Sequence, residues 1–267
     1  MDYRRFARFA RTASDARWSG LSELGTRLRV RARHAALRAR YGPGAPEPYA
    51  TISVDPADVE YLLTPRFYDE WLGRRGTYVV DGDWDRRYRS ASSPYPSTTA
   101  LGFAAPTLAR FENYTLFRSI RAHFTEGRPW TETAIYRYRA ENPRYGTGAE
   151  VLRDLRATDD LYEAIARDGY RRQSELGEDG PGDAPPAFDE VRVDVGRYGS
   201  VIFDDGRHRL SVARVLGLSR IPVRVVARHP RWQRLRTEVA TPADPSALSD
   251  LARLHLDHPD LAEFRPL

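Results

Sequence analysis

Val201-Ile-Phe-Asp-Asp-Gly-Arg-His-Arg-Leu-Ser-Val-Ala-Arg-Val-Leu-Gly-Leu-Ser-Arg-Ile-Pro-Val-Arg-Val-Val226 reads as a strand, a tight Asp-Gly turn, a basic-tipped helix and a second strand. A helix that opens with Gly206, Arg207, His208 and Arg209 gathers backbone N–H groups, the positive end of the helix dipole and guanidinium forks at one point. That is the chemistry of a phosphate cradle. The same pattern also suits an ordinary strand–helix–strand unit with its Arg residues in water, and one Asp-Gly-x-x-Arg does not separate the two readings.

Composition narrows the chemistry. A chain of 267 residues, 41% apolar and 11% aromatic, suits one large domain or a core with a sizeable insertion. It contains no Cys, which excludes disulfides, zinc–thiolate sites, iron–sulfur clusters and thiol nucleophiles. All 42 basic residues counted are Arg, so a P-loop Lys, a kinase strand Lys and Schiff-base chemistry are excluded as well. Any phosphate must be held by Arg, His and backbone amides. No run approaches the ~20 apolar residues of a membrane span, and no apolar h-region follows the first Arg residues. The expectation is a cytoplasmic chain.

Charge is concentrated at one end. Residues 1–40 carry 11 Arg against Asp2, Asp15 and Glu23, whereas the remainder has 31 Arg against 34 acids. Leu21, Leu24 and Leu28 fall at helical spacing among the Arg residues, which predicts a basic amphipathic helix. Such an arm suits a nucleic acid or an anionic membrane surface, or it packs on the body through its Leu stripe. Residues 1–48 are therefore read as a basic helical arm closed by a Gly/Pro-rich linker, and residues 228–267 as a C-terminal helical extension.

Along the body, residues 50–54 read as a strand and residues 56–62 as a short helix. A strand at residues 77–80 leads into Asp81-Gly-Asp-Trp-Asp85. Alternate carboxylates beside a strand suit Mg²⁺, with Asp83 and Asp85 as ligands, or else a capped turn around a buried Trp. Residues 91–106 and 177–187 read as loops, and residues 108–124 as a helix. Trp130-Thr-Glu-Thr133 opens a further helix, with Thr131 as the cap and Glu132 in its first turn. Residues 151–167 suggest two helices broken near Thr158. Residues 191–195 read as a strand, with a turn at residues 197–200.

The C-terminal third carries a recognisable order. Leu161-Tyr-Glu-Ala-Ile-Ala-Arg-Asp-Gly-Tyr-Arg-Arg-Gln173, a strand pair, Asp205-Gly-Arg-His-Arg-Leu-Ser-Val-Ala213 and Gly217-Leu-Ser-Arg-Ile-Pro-Val223 resemble the ParB/sulfiredoxin superfamily, in particular ParB N-terminal-like domains. The likeness covers about residues 150–227. Gly169 and Gln173 match the family's helix end, one residue further apart than its pattern has them. Gly206, Arg209 and Ala213 match its phosphate box, with Val212 where ParB usually has Ala.

This resemblance implies a mixed α/β fold: a ParB/sulfiredoxin-like nucleotide-binding core over residues 49–227, with a helical insertion at about 86–150. It implies that ATP, ADP or CTP is bound with its phosphates at Gly206, Arg207, His208 and Arg209, and with Arg171 and Gln173 approaching from the helix end. Sulfiredoxin chemistry needs a Cys and is excluded. ParB proper binds CTP and DNA and carries a helix-turn-helix after this domain; residues 227–267 are expected to be too short for that module plus a dimerisation domain. The branch resembling free-serine kinases fits best: a nucleotide-dependent phosphotransferase or hydrolase acting on a small molecule or a glycan or lipid precursor. For such a reaction Asp81, Asp83, Asp85, Glu132 and Asp205 are the candidate catalytic carboxylates, with Mg²⁺ as cofactor. The alternatives are a nucleotide-gated DNA-binding module that uses the basic arm, and a non-catalytic nucleotide sensor.

Overall fold

In the computed structural model, residues 20–64, 77–86, 107–176, 190–241 and 247–265 are described. The segments read as loops at 91–106 and 177–187 lie outside them. The described part of the basic arm forms helix α1 (Gly20–Tyr41), followed by strands β1 (Thr51–Val54), β2 (Tyr61–Thr64), β3 (Tyr78–Val79) and β4 (Thr107–Arg110). Helices α2 (Thr115–Glu126), α3 (Ala134–Ala140) and α4 (Gly148–Asp168) precede the hairpin of β5 (Val191–Val195) and β6 (Val201–Asp205). Helix α5 (Arg207–Val215), strand β7 (Ile221–Arg228) and helices α6 (Pro230–Ala240) and α7 (Asp250–Leu254) complete the order.

The strands form one mixed, seven-stranded sheet in the order β1-β7-β5-β6-β2-β4, with β3 also paired to β7. Strands β5 and β6 are antiparallel, with Val195 opposite Val201 at the hairpin end and Arg192 opposite Asp205 at the other. Strand β7 runs parallel to β5 and antiparallel to β1. The Asp205–Gly206 turn therefore lies at the end of the sheet opposite the 196–200 hairpin turn.

Period-two alternation places Val191, Val193 and Val195 on one face, where they join Ile221, Val223, Val225 and Phe203 in the main core. That face is covered by Leu210, Val212 and Ala213 of α5, Leu116 and Ile120 of α2, and Leu155, Leu161 and Ile165 of α4. Each such fully buried aliphatic side chain contributes roughly 1.5–3 kcal/mol.

Several local expectations change. Residues 61–64 form a strand, because Leu62 and Leu63 are both buried and serve clusters on opposite faces of the sheet. Strand β4 extends the sheet with a segment read as the start of a helix, pairing Leu63 with Leu108. Helix α4 is continuous over 21 residues and starts with a capping box between Thr147 and Glu150. The polar run inside it is no break, since Thr158 is fully buried and Asp159 accepts a bond from the Trp130 indole at 2.8 Å. Thr133, not Thr131, caps α3. Of the expected Leu stripe, the side chains of Leu21 and Leu24 lie outside those described and Leu28 is 57% exposed; among the described residues α1 docks through Val30 and Tyr41, with His34 and Leu37 partly buried between them.

The opposite face of the sheet carries a buried charged layer. Arg192, Asp194, Asp204 and Arg224 are each less than one-tenth exposed. Arg192 Nε lies 3.3 Å from Asp204, and its Nη2 also pairs with Asp205. Asp194 accepts from the Ala227 amide at 3.0 Å. Burial, and then the Asp204 carboxylate, push Asp194 well above the ordinary carboxylate range. An unfolded Asp ionises above roughly pH 4 whereas the folded one does not, so stability falls as pH rises from there toward the folded value. Asp194→Asn removes that loss. Thermal unfolding at about pH 5 and about pH 8 should show wild-type stability declining relative to the Asn variant. A variant less stable than wild type at the higher pH would mean that Asp194 is ionised and paired.

Candidate functional site

The Gly206 turn is built as the sequence suggests. Gly206 caps α5 with φ 91° and ψ 32°, a left-handed conformation, and makes no side-chain capping bond. A Cβ there would lie 3.0 Å from the Val191 Cα, so packing also demands glycine. Asp205 is tied to Arg192 across the hairpin, which fixes the entry to the turn. Arg207, His208 and Arg209 follow at the positive end of the helix.

Two groups distant in sequence join them. Arg139, in the last turn of α3, is 7% exposed, and its Nε is buried without a hydrogen-bond partner among the described residues. Its guanidinium lies 5.6 Å from the Tyr145 ring centroid, and that of Arg144 lies 4.8 Å away. Burial, then the charges of Arg207 and Arg139, hold His208 well below the usual imidazole range, so His208 is neutral at pH 7. Burial raises the Tyr145 phenol while Arg144, Arg139 and Arg207 pull it down, which puts both walls of this corner within electrostatic reach of one another.

On the other side stands Glu190, which immediately precedes β5 and is 4% exposed. It accepts from the Gln173 amide at 2.8 Å, and its second oxygen lies 3.8 Å from Arg209 Nη1. Burial raises the Glu190 carboxyl against the opposing pull of the Gln173 amide and Arg209. Gln173 Nε2 is buried without a partner among the described residues. Gln173 is thus brought to the turn through Glu190, whereas Arg171 is exposed and donates to the Glu175 carbonyl at 2.7 Å.

The loop carboxylates do not join this site. Arg197 of the hairpin turn bonds Asp85 Oδ1 through Nη2 at 2.7 Å, Asp83 at 2.8 Å and the Gly82 carbonyl at 2.8 Å. Its amide also donates to Asp85 at 2.6 Å. Burial opposes ionisation of Asp85, yet the Arg197 bonds outweigh it and hold the carboxyl below its ordinary value. Asp81 accepts from the Gly82 amide at 2.8 Å and lies 3.6 Å from His229. The Asp81, Asp83 and Asp85 loop therefore braces the hairpin end of the sheet, opposite Gly206. A guanidinium spans Asp83 and Asp85 where Mg²⁺ was expected, and no cluster of three metal-ligating side chains exists among the described residues. Glu132 is exposed at the end of the Trp130–Glu132 turn that precedes α3, and no contact joins it to the Gly206 turn among the described residues.

The fold and site define a mixed α/β protein whose α5 begins with Arg207 and Arg209, with Arg139 within electrostatic reach and the buried Glu190 carboxylate 3.8 Å from Arg209. No family model, curated protein or solved structure matches the chain. No helix among the described residues is long and apolar enough to cross a membrane.

Proposed function

We propose that this chain is a ParB/sulfiredoxin-like nucleotide-binding protein that holds the phosphates of ATP, ADP or CTP at the Gly206–Arg209 turn. The observation that carries the reading is Arg139. A buried guanidinium with an unsatisfied N–H, within electrostatic reach of a helix N-terminus that already bears Arg207 and Arg209, is costly unless an anion completes it. A phosphate supplies several acceptor oxygens at once, and Arg forks match them. The neutral His208 ring adds a hydrogen-bonding group without a charge.

Within that reading the bound nucleotide supplies the transferable phosphoryl group. Glu190 is assigned the role of taking a proton from an acceptor hydroxyl or water, a role supported by the burial that raises its basicity and by the Gln173 amide that holds one of its oxygens. The acceptor is a small molecule or a glycan or lipid precursor. Mg²⁺ at Asp83 and Asp85 does not fit this scheme, so the site's positive charge comes from Arg207, Arg209 and Arg139.

Calorimetric titration with ADP, ATP and CTP tests the reading. A charge-assisted hydrogen bond contributes about 1.5–3 kcal/mol, so Arg139→Ala should weaken nucleotide binding roughly 10- to 100-fold. Glu190→Gln should keep binding and abolish turnover. No binding of any of the three at millimolar concentration would contradict the proposal.

A further inference from the structure

Helix α1 has two opposite faces, and among the described residues the apolar contacts to the body come from one of them. Val30, His34, Leu37 and Tyr41, spaced i, i+4, i+7 and i+11, face the body, with Val30 and Tyr41 buried and the other two partly so. Leu28, Ala32, Ala35 and Ala39 repeat the same spacing on the far side, and all four are exposed. Arg31 and Arg38 line one flank of that stripe and Arg33 and Arg40 line the other, each pair seven residues apart and all exposed, with the Arg33 guanidinium resting 4.2 Å from the Tyr78 ring centroid and that of Arg40 5.3 Å from the Tyr41 ring centroid. Between residues 20 and 46 the chain has six Arg and a single acid, Glu23. The first acid beyond is Glu47, which lies 3.2 Å from both Arg38 and His34.

We infer that this face of α1 is a binding surface for double-stranded nucleic acid. A helix about 10–12 Å across fits a major groove about 12 Å wide. Two rows of guanidinium groups on either side of it meet the two phosphate strands that border a groove. The methyl-sized stripe between them lets the backbone approach the base edges, where Ala contacts the thymine methyl. An anionic membrane fits less well. An interfacial helix holds itself in lipid with Trp, Phe and Leu, and this stripe offers Leu28 and three Ala. The inference is independent of the nucleotide site, which lies on α5 and α3.

The test is fluorescence anisotropy with a labelled 20-base-pair duplex and the full chain, from about 50 to about 200 mM salt. Four phosphate contacts predict a slope of log affinity against log salt of about −3.6, a loss of roughly 150-fold across that range. Arg31→Ala with Arg38→Ala should halve the slope. Glu47→Gln should tighten binding, because it releases Arg38. Ala35→Glu, an exposed change with no cost to the core, should weaken binding at least tenfold. Absence of salt-dependent duplex binding, or binding unaffected by these variants while circular dichroism shows them folded, would overturn the inference. Retention on vesicles containing about one-third phosphatidylglycerol without duplex binding would do the same and assign the face to lipid.

Discussion

Asp260→Asn is expected to lower the free energy of unfolding by about 3–5 kcal/mol, the usual cost of removing one partner from a buried ion pair. Asp260 is 1% exposed and accepts from Arg228 Nε at 2.8 Å and from the Trp232 indole at 2.9 Å. Arg236 lies 3.6 Å from its carboxylate and also donates to its backbone carbonyl. These groups join the end of β7, helix α6, Gly44 after α1, and the 259–264 turn, because Arg236 also donates to the Gly44 carbonyl at 3.1 Å. Loss of one negative charge leaves two guanidinium groups buried at 4% and 2% exposure.

The same carboxylate predicts an acid response. Burial opposes its ionisation, but Arg228, then Arg236 and Trp232, bring its pKa down to about 2. With an unfolded value near 4, the folded state gains stability above about pH 4 and loses it as pH falls toward 2, by roughly 2 kcal/mol. Urea unfolding followed by tryptophan fluorescence at about pH 7 and about pH 3 would read both effects, since Trp232 sits on the network. A change below about 1 kcal/mol at neutral pH would mean that the network contributes little.

Gly206→Ala is the second large effect. The left-handed φ costs a residue with a Cβ about 1–2 kcal/mol, and the new methyl lies 3.0 Å from the Val191 backbone. Neither the β6 end nor β5 yields cheaply, because Arg192 and Asp205 lock them together. We expect a total loss of about 2–4 kcal/mol and a displaced start of α5, read as a lower melting temperature together with weaker nucleotide binding. A stable variant with unchanged binding would separate the turn from the ligand.

The β5–β6–α5–β7 unit was legible because its signals are local. An Asp-Gly turn, period-two valines and an apolar helical stripe all lie within about forty residues. Strands β2 and β4 were not legible, since runs as short as Leu62-Leu63 acquire their state only from β6 beside them. Thr158, Asp159 and Asp160 read as a break in α4 because the sequence cannot tell that Thr158 points into the core and that Asp159 serves Trp130.

The site divides in the same way. Gly206 to Arg209 is contiguous, and Gln173 was found through the resemblance. Arg139 and Glu190 carry no pattern of their own, and only the approach of α3 and the start of β5 to α5 gives them a role. Asp83 and Asp85 read as ligands or bases because their partner, Arg197, lies more than a hundred residues away.

The central claim is that nucleotide phosphates sit at the head of α5. A crystal structure of the chain soaked with ADP tests it most directly. The account predicts phosphate oxygens within hydrogen-bond distance of the Arg209 and Arg139 guanidinium groups at the Gly206 turn, with Glu190 on the side of the terminal phosphate. A nucleotide bound elsewhere, or phosphates contacting neither Arg139 nor Arg209, would contradict it.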